Sequence, residues 1–117
     1  MFDLTDAEYR LMEVVWEVEP IRAAALAVEC SERLGWKRTT TYTVINNCAK
    51  KGYLATNDSV VTPLVTKSEY NVQIGERLME NVFHDGMTEM LSAFVNGRKL
   101  TKEEYEQLKD IIEKAYR

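Results

Sequence analysis

The sequence predicts a mainly α-helical protein, with three N-terminal helices, a small two-stranded hairpin, and further helices to the end. Three observations predict it. Apolar residues recur at helical spacing over long stretches, as in Leu11, Met12, Val15 and Trp16. That spacing gives way over residues 53–65 to two short β-prone runs flanking Asn57-Asp58-Ser59. Helix start signals of the form Thr-x-x-Glu stand at Thr5 and Thr101, and a glycine stop signal stands at Gly35.

Length and composition bound the function. A chain of 117 residues makes one small domain or two tightly joined ones, too short for a conventional multidomain enzyme. Apolar residues at 45% and charged residues at 29% are the balance of a folded protein, not a disordered one. The longest apolar run, at 23–28, is too short for a bilayer. No secretory signal is expected, because Asp3, Asp6 and Glu8 occupy the place of a basic and then apolar leader. Cys30 and Cys48 suggest free thiols in a reducing cytoplasm. The net charge of −4 does not itself imply nucleic acid.

The first helix starts at Thr5, where Thr5-Asp6-Ala7-Glu8 forms a capping box, and it closes at Pro20. The second runs from about Arg22 to Leu34, with Ala25, Leu26, Cys30 and Leu34 on its apolar face. The third, within residues 36–52, buries Thr41, Val44, Ile45 and Cys48, with Ala49 beside them. Thr39, Thr40, Tyr42, Thr43, Asn46 and Asn47 remain on its outer side.

Charge singles out that third helix. Lys37, Arg38, Lys50 and Lys51 flank it with no carboxylate between Lys37 and Gly52, whereas residues 1–36 carry eight carboxylates against Arg10, Arg22 and Arg33. A basic island in an acidic chain localises where a phosphate backbone could lie. Threonine is a poor helix former, so packing rather than propensity must hold this helix. Hydroxyls and carboxamides on such a face can reach phosphates and base edges, where a carboxylate would repel them. A neutral solvated surface is the alternative reading. Three helices and a hairpin make the winged helix-turn-helix arrangement, in which the third helix enters the major groove. The hairpin tip carries Asp58 and no Lys or Arg, which weakens its grip on phosphate.

Residues 66–117 read as amphipathic helices. Tyr70, Ile74, Leu78, Val82 and Phe83 form one stripe; Met87, Met90, Leu91, Phe94 and Val95 a second; Leu108, Ile111, Ile112, Ala115 and Tyr116 a third. So few residues cannot easily cover this surface alone, and a two-fold dimer is the common solution. The expected contacts are Leu78, Val82, Phe83, Met90, Leu91, Phe94, Leu108, Ile111 and Ile112; packing onto the N-terminal part is the alternative. The expected division is therefore 1–65 for the winged-helix DNA-binding domain and 66–117 for the helical dimerisation domain.

Catalytic residues, metals and cofactors are not expected. His84 stands without a nucleophile or carboxylate pair in catalytic spacing, and beside Asp85-Gly86 it is expected to cap a helix end.

The chain resembles the penicillinase-repressor (BlaI/MecI/CopY) transcriptional regulators nearly end to end. The resemblance is carried by Leu4-Thr5-Asp6-Ala7-Glu8 with Val15-Trp16, by Trp36 with Thr40 and Thr43, and by Lys50-Lys51-Gly52-Tyr53-Leu54. It continues with Thr62-Pro63-Leu64-Val65, Glu69-Tyr70, Phe94-Val95 and Leu100-Thr101-Lys102-Glu103-Glu104. It implies a cytoplasmic homodimer that binds a palindromic operator in double-stranded DNA and represses β-lactamase, penicillin-binding-protein or transport genes. Lys37, Arg38, Lys50 and Lys51 would then meet phosphates, with Thr39, Thr40, Tyr42, Thr43, Asn46 and Asn47 toward the groove.

The departures bear on function. Asn47 stands where relatives usually carry Arg or another long polar residue, and the wing is short and lacks Arg. The paired Cys-x-Cys motifs of copper-responsive relatives are absent. The resemblance also implies a sensor-linked metalloprotease that cuts an Asn-Phe bond; the matching pair is Ala93-Phe94, with the asparagine lost. The alternative function is a winged-helix protein-interaction module with weak or no DNA affinity.

Overall fold

The computed structural model describes residues 4–117, so Asp3 lies outside the described residues. The elements run α1 (Asp6–Val18), β1 (Ile21–Arg22), α2 (Ala23–Leu34), α3 (Arg38–Lys50), β2 (Leu54–Asn57), β3 (Val60–Pro63), α4 (Lys67–Asn81), α5 (Met87–Val95) and α6 (Lys102–Tyr116). They form two compact units, one ending at Gly75 and the other Glu76–Arg117. This division falls inside α4, whereas the expected 65/66 boundary lies at its start.

In the first unit, Thr5 caps α1 as expected. Its hydroxyl accepts from the Glu8 amide at 3.2 Å and the Glu8 carboxylate accepts from the Thr5 amide at 2.9 Å. Leu11, Met12 and Val15 of α1 meet Leu26 and Cys30 of α2, Cys48 of α3, Leu54 of β2 and Val61 of β3 in one fully buried cluster. On α2 the expected face shifts: Ala25 is exposed, and Ala23 and Ala27 are buried with Leu26 and Cys30. Gly35 ends α2 in the left-handed region, at φ 70°.

The wing is larger than the expected two strands. Residues Ile21–Arg22 add a third, giving an antiparallel sheet in the order β1-β3-β2, with Ile21 opposite Val61 and Arg22 opposite Val60. Two residues between helices are too short a run for periodicity to register as a strand. Asn57 and Val60 close the hairpin around Asp58 and Ser59, whose φ values of 50° and 65° are those of a two-residue type I′ turn. The Ser59 carbonyl accepts from the Ala23 amide at 2.8 Å. It thereby satisfies an N-terminal donor of α2, a helix whose Arg22 cap makes no side-chain bond.

Tyr70 corrects the expected first C-terminal stripe. It is buried in the first unit beside Tyr9, Trp16 and Tyr53, with ring centroids at 5.6, 5.8 and 5.9 Å. Ile74 packs on the same core, so Tyr70 and Ile74 face inward. Trp16 Nε1 donates to the Val65 carbonyl at 2.8 Å, fixing the chain just before α4.

In the second unit every residue of α5 and α6 is exposed or half-exposed. Thr101 caps α6 in the expected box with Glu104. Phe83 meets Phe94 edge-on at 5.8 Å, and Leu91, Leu100, Tyr105, Leu108 and Ile112 line a shallow apolar groove. The N-cap of α5 is Gly86, without a side-chain cap bond, so His84 does not cap that helix. Among the described residues, no helix is long and apolar enough to cross a membrane. Nor do they contain a group of three or more side chains arranged to hold a metal.

Candidate nucleic-acid interface

The third helix divides as its sequence spacing suggests. Thr41, Val44, Ile45 and Cys48 are buried. Thr41 tolerates full burial because its hydroxyl donates to the Lys37 carbonyl at 3.4 Å. Burial pushes the Cys48 thiol up to about 12 and raises that of Cys30, so both behave as small apolar core groups. With this face fixed, Arg38, Thr39, Thr40, Thr43, Asn46 and Lys50 are exposed, and Tyr42 and Asn47 half-buried.

The outer face has internal order. Thr43 donates its hydroxyl hydrogen to the Thr39 carbonyl at 3.0 Å, leaving its oxygen lone pairs outward. The Arg38 guanidinium lies over the Tyr42 ring, 5.5 Å from its centroid. Lys37, Arg38 and Lys50 have no ion-pair partner among the described residues. With no acid in the first turn of α3, its free amides and helix dipole add to the positive field there.

Lys51 differs from the other three cations. Its ammonium sits 2.6 Å from Glu8 Oε1, a carboxylate almost wholly enclosed. Burial alone would raise the Glu8 pKa. The Lys51 hydrogen bond and charge, together with the Thr5 bonds, outweigh it and leave Glu8 below its ordinary value. Lys51 thus ties the end of α3 to the start of α1. Sequence reasoning missed this pair because nothing local links residues 43 positions apart. It also missed Arg22, which the short β1 strand puts beside Val60, bringing a cation to a wing whose turn has none.

Of the expected dimer contacts, Val82 is 57% exposed, Phe94 59%, Ile111 63%, Ile112 54% and Leu91 37%. Leu78, Phe83, Met90 and Leu108 are half-buried. Ala93 and Phe94 lie inside α5, so a protease needing an extended strand would first have to unwind that helix.

Comparison with known proteins extends this picture. The family model described as penicillinase repressor matches residues 4–114. The chain is 28% identical over 115 residues to the penicillinase repressor of Bacillus licheniformis, covering 94% of this chain and 89% of that one. It is 23% identical over 117 residues to the methicillin resistance regulatory protein MecI of Staphylococcus aureus, covering 97% and 95%. Among solved structures, the DNA-binding domain of the repressor BlaI superposes with a TM-score of 0.54 at 29% identity, covering 59% of this chain and 89% of that one. The multiple antibiotic-resistance repressor (MarR) of Listeria monocytogenes 4b F2365 shares the fold, with a TM-score of 0.51 at 21% identity, covering 98% and 75%.

Proposed function

The chain belongs to the penicillinase repressor family, whose members are DNA-binding transcriptional repressors and not enzymes, and from that premise we propose a cytoplasmic homodimer acting on a palindromic operator. Each copy lays α3 in the major groove. Lys37 and Lys50 neutralise phosphates, and Arg38, Thr39, Thr40, Tyr42, Thr43, Asn46 and Asn47 face the groove. Lys51 is committed to Glu8 and acts by holding α3 in place. The observation that carries this reading is the exposed, carboxylate-free outer face of α3, flanked by three cations without acid partners among the described residues.

The second copy follows from the exposed apolar side chains of α5 and α6. Leu91, Phe94, Ile111 and Ile112 need a cover, and a two-fold partner provides one while setting two α3 helices against two half-sites. The regulated genes in this reading concern antibiotic resistance or transport, and a sensor-linked metalloprotease cutting at Ala93-Phe94 is the proposed means of release.

Footprinting on DNA upstream of the chain's own gene tests the reading. A two-fold symmetric footprint, with half-sites about one helical turn apart, is expected, and the double variant K37E/R38E should erase it. Absence of any shift at low salt would instead favour a winged-helix scaffold that binds protein.

A further inference from the structure

We infer that Arg38 reads a guanine in each half-site and that Tyr42 is the positioning residue that aims it. This rests on the DNA-binding role proposed for α3. Arg38 is the first residue of that helix, and first-turn residues of a recognition helix meet base edges. Its guanidinium carbon lies 5.5 Å from the Tyr42 ring centroid, and Nη2 donates to the Tyr42 hydroxyl in a long bond of 3.5 Å. Tyr42 is itself anchored, half-buried against the N-terminal core. On another side, Arg38 lines a shallow depression with Ala24, Ala27, Val28 and Ser31 of α2.

The pairing pattern of the arginines adds to this. Arg33 is held by Glu17 and Glu29, and Arg98 by Glu104, whereas Arg38 has an aromatic ring and no carboxylate among the described residues. An exposed arginine without support samples many rotamers. A phosphate contact needs only charge, which Lys37 and Lys50 bring without any aromatic support. Guanine O6 and N7 instead call for a planar fork in a fixed plane, which an arginine held on a ring provides and a lysine does not. Contact with the Tyr42 ring and hydroxyl limits where the guanidinium can lie, while its other N–H donors make no hydrogen bond among the described residues.

The test is selection of duplexes from a randomised library with the full-length chain and its R38K, Y42A and Y42F variants, followed by affinities on the selected duplex at several salt concentrations. We expect wild type to enrich a symmetric site with one invariant G·C pair per half. R38K keeps the charge and should lower the preference at that pair by about tenfold or more, leaving the other positions and the salt dependence as they were. Y42A should blur the same pair, and Y42F, which restores the ring, should sharpen it again. Equal weakening on all sequences by R38K, with the motif intact, would make Arg38 a phosphate contact and overturn the inference. A pair left sharp by Y42A would overturn the role of Tyr42. Both results leave the repressor reading standing, whereas a wild-type pool with no enriched sequence overturns that reading and this inference together.

Discussion

Apolar side chains lie inside the N-terminal unit and on the surface of the last two helices. Leu11, Met12, Val15, Leu26, Leu54 and Val61 are sealed from solvent, whereas Phe94, Ile111, Ile112 and Tyr116 stand more than half exposed. Both regions use the same local devices: reciprocal Thr–Glu boxes start α1, α4 and α6. The difference therefore lies in tertiary packing. A three-helix layer closed by a sheet can bury its own core, but two amphipathic helices leave an apolar face over. The first region closes on its own core and carries α3 on its surface, and the second leaves apolar side chains exposed, which is the feature the proposed dimer rests on.

The largest effect expected from breaking this contrast is in the sealed core. Leu26→Ala should cost about 3 kcal/mol in urea unfolding, because a fully buried leucine leaves a cavity. The double variant F94D/I112D should leave that N-terminal transition in place. If the proposed dimer forms through these helices, sedimentation should show its dissociation constant raised by about a hundredfold or more, since the variant puts charge into the proposed apolar interface.

A smaller effect is expected at the Glu8–Lys51 pair. Glu8→Gln keeps the capping geometry and removes the charge, and should cost about 1–3 kcal/mol near neutral pH. The folded carboxyl titrates below its ordinary value of 4.5. Its contribution is therefore fully present above that pH and is lost as pH falls through the lowered folded value. The stability gap between wild type and Glu8→Gln should accordingly close on acidification below 4.5, as denaturation curves across pH would check. The smallest effect is a gain: Ser59→Gly removes a side chain from a left-handed position at φ 65° and should add about 0.5–1 kcal/mol in the same assay.

Local chemistry made much of this fold legible in the sequence. The boxes at Thr5 and Thr101, the Gly35 stop and the spacing of Thr41, Val44, Ile45 and Cys48 are signals contained within a few residues, and the structure has all of them. What escaped depends on distant partners. Ile21–Arg22 is a strand only because β3 lies beside it. Tyr70 has the period of a surface helix stripe, yet it is claimed by Tyr9, Trp16 and Tyr53. The outer face of α3 could be read as a surface from its residue types. The pairing of Lys51 with Glu8 and the contact of the Arg38 guanidinium with the Tyr42 ring required coordinates.

The salt dependence of DNA affinity tests the role of α3 most directly. For wild type the plot of log affinity against log salt should be steeply negative, and Lys37→Ala and Lys50→Ala should each reduce its slope by about one phosphate contact, roughly 0.9. A wild-type slope near zero, or slopes unchanged in both variants, would contradict docking through this helix.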